Sequence, residues 1–242
     1  MPDTILYEQN INVIEHREVA KMVLHTVDGL LKVAIVASTV LGGAAARPGA
    51  LASFYQYLAR AGVTCVIHLG QLLGSSWRPT IRHPLLDYPA VTGVTTFHYP
   101  AACPGCSPVG ALMHAAGRDD WVELTEPRLD VIGPDGTAVK CHLVLDPVCA
   151  RFAAAMSVWT VATRRSFREF SGGYYTVPPD SLFLFGGNPR PAIRRNVDGR
   201  VLIQSGSRFH GPGATAAILT LPIEPAGLIR DRECQLETWY AA

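Results

Sequence analysis

From Val33 to Pro79 the chain contains no aspartate and no glutamate, and this stretch holds two apolar runs built on one plan. The first, Val33-Ala-Ile-Val-Ala-Ser-Thr-Val-Leu-Gly42, runs into a small-residue loop. The second, Val66-Ile-His-Leu-Gly-Gln-Leu-Leu-Gly74, runs into a glycine-flanked loop with Gln71 at its tip. Runs without polar alternation predict strands buried on both faces, as in parallel sheets. Between them Pro48 opens a predicted helix with Leu51, Phe54 and Leu58 on one face, and Gly62 ends it. Strand, helix and strand make a βαβ unit, whose parallel strands send their carboxyl ends to one crevice. Open α/β sheets place their sites at such ends, and here both ends lack an ionisable group at the tip.

The rest of the chain continues in the same style. Strands are expected at Leu30–Ala37, Thr64–Leu69, Val94–Tyr99, Trp121–Leu124, Leu129–Ile132, Ala138–Leu145, Leu182–Phe185, Ala192–Arg195, Val201–Gln204, Ala216–Leu221 and Cys234–Tyr240. Pro134-Asp-Gly136 predicts a tight turn, and Asp198-Gly199 a hairpin. A short helix is expected over Val109–Ala116. The longest is expected over Ala150–Phe170, stopped by Gly172-Gly173. Residues 1–28 are weakly patterned and read as an N-terminal extension packed on the domain, with a short helix over Glu15–Leu24. Residues 29–242 read as a single domain.

Composition narrows the class. A chain of 242 residues supports one large core. Charged residues make up 17%, below the roughly 25% of a typical soluble domain. That thin complement fits a surface partly covered by partners, and Ala- and Gly-rich coding bias equally well. A net charge of +1 gives no global footprint for nucleic acid or anionic membrane. No secretory signal or membrane span is visible, and the six cysteines are expected as reduced thiols. The chain reads as soluble and cytoplasmic.

The order of motifs resembles the calcineurin-like metallophosphoesterases from about Lys32 onward, most closely their phage- and archaeal-type branch. That family has apolar-Ser-Asp-x-His-Leu-Gly after the first strand and apolar-Gly-Asp-Leu after the second. On this pattern Ser38 stands in place of the first aspartate, Val40 of the histidine and Gln71 of the bridging aspartate. The family's Gly-Asn-His-Asp falls on Tyr99–Cys106, where Ala102 and Cys103 replace asparagine and histidine. A later strand that ends in a ligand histidine falls on Val139–Pro147, with Asp146 or, on a shifted register, His142 at the ligand position. The family's Gly-His-x-His falls on Gly186-Gly-Asn-Pro189, so Gly187 and Pro189 replace both histidines. Even the trailing Gly-Ser survives as Gly206-Ser207. The resemblance implies a four-layer αββα sandwich, with two sheets face to face and helices outside.

It also implies what is lost. A two-metal phosphoesterase holds cations about 3.5–4 Å apart on carboxylates and imidazoles from several loops. Val40, Ala102, Gly187 and Pro189 have no side-chain lone pair, while Ser38 and Gln71 are neutral. No shift of a few residues supplies the two missing aspartates.

Other residues carry bland readings beside sharper ones. Cys103-Pro-Gly-Cys106, joined by Cys149 and His142, suggests a single structural zinc; the bland reading is unmodified thiols. His68 and His98 read as pocket walls or partners of backbone groups, and His210 as a loop residue. Arg164, Arg165 and Arg168 suit a helix C-terminus. With Arg190, Arg194 and Arg195 they can instead form a basic face for nucleic acid or an acidic partner.

The leading expectation is a pseudoenzyme: a structural or scaffolding subunit, with other protein subunits as partners and a virion location if phage-encoded. No cofactor is expected beyond that zinc. Two alternatives stand beside it. One is a divergent hydrolase with a site rebuilt around Cys103, Cys106, His142 and Asp146. The other is a binding module for a phosphate-containing ligand or nucleic acid.

Overall fold

The two apolar runs fold as adjacent parallel strands, each with a neighbour on both sides. The computed structural model describes residues 23–37, 39, 41, 48–70, 72, 90–100, 113–124, 128–144, 181–186, 191–195, 201–209 and 213–241. In chain order the elements are β1 (Val23–His25), β2 (Leu30–Ala37), α1 (Pro48–Arg60), β3 (Cys65–Gly70), β4 (Thr95–Pro100) and β5 (Trp121–Glu123). Then come β6 (Arg128–Ile132), β7 (Ala138–Val144), β8 (Leu182–Phe185), β9 (Ala192–Arg195), β10 (Val201–Gln204), β11 (Thr215–Pro222) and β12 (Gln235–Tyr240).

The strands form two six-stranded mixed sheets. The first has the order β12-β11-β2-β3-β4-β5. Its β2, β3, β4 and β5 run parallel, and β11 runs antiparallel to both β2 and β12. The second has the order β1-β6-β7-β8-β10-β9, in which β7, β8 and β10 run parallel. Side-chain alternation builds two cores. Leu31, Val33, Ile35 and Ala37 of β2, with Cys65, Ile67 and Leu69 of β3, pack between the sheets against Leu129, Val131, Cys141, Leu143, Leu182 and Leu184. The alternate residues Ala34, Val36 and Val66 turn outward beneath Leu51, Phe54 and Leu58 of α1. Fully burying one such large apolar side chain contributes about 1.5–3 kcal/mol. A one-residue slip would exchange the two faces, so the packing fixes the register. Phe183 and Leu202, on the outer face of the second sheet, are buried as well.

The expected strands are observed, several with ends moved by a residue or two. One expectation is corrected. Val23 and Leu24 do not close a helix that began at Glu15; they belong to β1, pairing parallel with Asp130 and Val131 of β6. Leu24 is fully buried there, and the inter-sheet core outweighs any local helical preference. The expected turn at Pro134-Asp-Gly136 closes with Gly133 N donating to Thr137 O at 2.9 Å, Gly136 taking φ +81°. Of the helix expected over Val109–Ala116, Met113–Ala115 is helical and residues 109–112 lie outside the described residues. The long helix expected over 150–170 lies outside them too.

Candidate functional site

Parallel pairing sends the carboxyl ends of β2, β3 and β4 to one edge of the first sheet, and those of β7, β8 and β10 to one edge of the second. Gly186 shows that the two edges meet. A Cβ on Gly186, directly after β8, would lie 2.8 Å from Ala37 Cβ and 3.2 Å from Leu69 Cβ. Only a residue without a side chain lets the end of β8 approach β2 and β3 this closely. The end of β10 is tied to the same point, since Ala37 N donates to Ser207 Oγ at 2.9 Å. Ser207 Oγ in turn donates to Thr215 O at 3.2 Å. The described ends of β2, β3, β8 and β10 therefore converge at one edge of the two sheets.

The next residues are bound just as tightly. Thr39 is fully buried, and its hydroxyl donates to Leu72 O at 3.1 Å while lying 3.2 Å from His68 Nε2. Leu41 N donates to the same carbonyl at 2.7 Å. With the hydroxyl proton on Leu72, His68 donates from Nε2, which sets its neutral tautomer. His68 lies 5.0 Å from His98, centroid to centroid, because β3 and β4 pair them side by side. Trp121 closes over both rings at 6.0 and 6.2 Å. Burial, with a smaller contribution from His98, holds the His68 imidazole well below its ordinary pKa. Tyr55 of α1 completes this cluster, its hydroxyl 2.6 Å from Thr96 Oγ1, and burial pushes its phenol up.

This polar and aromatic cluster was not legible as a unit. His68 and His98 were singled out as wall residues, but Thr39, Tyr55, Thr96 and Trp121 were not. The usable signal was register: two histidines on neighbouring parallel strands, each two residues before the strand end.

The described residues at this edge, Ala37, Thr39, Leu41, Leu69, Leu72 and Gly186, are all buried, and Thr39 carries the one hydroxyl among them. Ser38, Val40, Gln71, Ala102, Cys103, Asp146, Gly187 and Pro189 lie outside the described residues, as do Cys106, Cys149 and His210. Among the described residues no group of three or more His, Cys, Asp or Glu could hold a metal ion. His142 is described, and its place argues against a ligand role. It sits within β7 on the outer face of the second sheet, stacked on Phe183 with centroids 4.7 Å apart. The neighbouring Cys141 and Leu143 point into the core between the sheets. Of the arginines, Arg164, Arg165, Arg168 and Arg190 and the side chain of Arg194 also lie outside. Arg195 is exposed, and its guanidinium donates to Ile229 O.

Two facing mixed sheets, with a helix on the outer face of one, make an α/β fold of two packed sheets. No family model matches the chain, and no curated protein matches it. Among solved structures it is similar to Vps29 of Chaetomium thermophilum, with 10% identity and a TM-score of 0.37 over 86% of this chain and 97% of that one. It is also similar to a 5'-nucleotidase precursor from Thermus thermophilus, with 9% identity and a TM-score of 0.47 over 86% of this chain and 54% of that one. A third likeness is to a Vps29 single mutant from Entamoeba histolytica, with 12% identity and a TM-score of 0.38 over 86% and 99%. Identities and scores of this size carry nothing about activity.

Proposed function

We propose that this chain is a metallophosphoesterase-type domain that no longer performs two-metal hydrolysis and serves as a structural or scaffolding subunit of a larger assembly. One observation carries the reading: no aspartate or glutamate occurs from Val33 to Pro79, across the ends of two parallel strands that border the crevice. Two-metal hydrolysis needs anionic ligands there to hold the cations and offset their charge. Gln71 and Ser38 give neutral oxygens only, and Val40 gives none.

The strand frame is kept while the ligand positions change together. Gly186 and Ser207 still bind the strand ends to one another, which is what a domain retained for its shape requires. Partners are proposed to be other protein subunits, in a virion if the chain derives from a phage-type relative and in the cytoplasm otherwise. Among the described residues no helix is long and apolar enough to cross a membrane. No resident cofactor is proposed.

The test is metal analysis of the purified protein together with turnover of a generic phosphodiester. Two equivalents of manganese, iron or zinc with hydrolysis would refute the reading. One zinc without turnover would move Cys103, Cys106 and Cys149 from spectators to a structural thiolate site. Native isolation with other subunits, lost on disrupting a shared surface while the fold is kept, would support scaffolding.

A further inference from the structure

The His68 cluster has no role in the proposed scaffold, and its geometry suggests one. Thr39 and Leu41 follow β2 and are fastened to the end of β3 through a single carbonyl, Leu72 O, with Thr39 also held by His68 Nε2. His68 is fully buried, and among the described residues its Nδ1 has no hydrogen-bond partner. A second proton would go on Nδ1, placing a cation with no side-chain acceptor among the described residues beside a second imidazole and against the indole of Trp121. We propose that His68 is an acid-sensitive latch that fixes Thr39 and Leu41 to the end of β3 and releases them when its ring is protonated.

Among the described residues burial and His98 oppose the proton, and a smaller backbone hydrogen bond of His68 itself favours it without offsetting them. From β4 comes His98, a like charge if it is protonated too. From α1 comes Tyr55, which is neutral and bonded to Thr96. From β5 comes Glu123, the register neighbour of His98 and one strand removed from His68. Before β5, the Asp120 carboxylate is already engaged by Arg118. The latched state therefore holds His68 neutral, whereas an opened state returns it to water and an ordinary pKa near 6.5. Below that pH the opened state binds more protons, so acid favours opening and neutral pH favours closure. One such group shifts the balance by about 30-fold between pH 7.5 and pH 5.0.

Amide hydrogen exchange at Leu41, whose N–H bonds to Leu72 O, reads the latch directly. After correction for intrinsic exchange, protection of Leu41 should fall by about 30-fold between pH 7.5 and pH 5.0. Leu219 at the centre of β11 should keep its protection. His68→Gln, which keeps a donor toward Thr39 but cannot titrate, should remove the pH dependence at Leu41. In the unaltered protein the His68 ring should stay neutral by NMR until the latch opens. The proposal is overturned if Leu41 protection is independent of pH, if Leu41 and Leu219 lose protection together, or if His68→Gln leaves the pH dependence intact. If that variant does not fold, the NMR titration decides: a His68 midpoint near 6.5 with Leu41 still protected overturns the latch.

Discussion

Replacing Gly186 by alanine tests whether the two sheets meet at the carboxyl ends of β2, β3 and β8 as described. The added Cβ would lie 2.8 Å from Ala37 Cβ and 3.2 Å from Leu69 Cβ, well inside ordinary contact distance. Both neighbours are fully buried, one on β2 and one on β3, so neither can swing aside. The φ of Gly186 is not in the left-handed region, so an alanine backbone is tolerated and the penalty is steric. Overpacking of this kind costs about 1–3 kcal/mol. With a urea m-value of about 2 kcal/mol/M, the midpoint of unfolding should drop by about 0.5–1.5 M without a change in slope. Combining it with Ala37→Gly removes the shorter clash, so the double variant should be less destabilised than the sum of the two single changes. Gly49→Ala is the control: a Cβ there has no heavy atom within 4 Å, and its midpoint should hold or rise. An unchanged midpoint for Gly186→Ala, or plain additivity with Ala37→Gly, would refute the convergence of β8 on β2 and β3.

Ser207→Ala should destabilise by about 1–3 kcal/mol in the same assay, because Ala37 N then loses its buried acceptor. Tyr55→Phe should cost about 0.5–1.5 kcal/mol by stranding the Thr96 hydroxyl. In the parent protein the Tyr55 phenol should not ionise in an ultraviolet titration until the protein unfolds. Burial raises the thiols of Cys65 and Cys141, so iodoacetamide followed by mass spectrometry should label Cys234 in the native protein and those two only after unfolding.

Local structure was legible where burial and punctuation agree. Val33–Ala37 is apolar and buried on both faces and its strand has neighbours on both sides, and α1 begins at Pro48 as the sequence predicts. Strand β1 was not legible, because three residues have no usable period and their partner β6 lies far along the chain. Periodicity likewise says nothing of sheet membership. Strands β11 and β12 come last in the chain, yet β11 lies against β2 through pairs such as Leu219 with Val33. His142 was drawn toward the crevice by motif alignment alone. Alternation along β7 sends it outward, since Cys141 and Leu143 already fill the inward face. The absence of carboxylates from Val33 to Pro79 needed no structure, because it is read from amino-acid identity alone. The His68 cluster did need one, since Thr39 and His68 meet only through tertiary packing.

The central claim is that the crevice no longer holds a catalytic metal pair. Metal content measured by plasma mass spectrometry after growth with manganese, iron and zinc, alongside hydrolysis of bis-p-nitrophenyl phosphate with each ion added, tests it most directly. The account predicts no stoichiometric metal pair and no turnover above buffer. Two bound equivalents with metal-dependent turnover, abolished by substitution at Asp146 or Gln71, would contradict it.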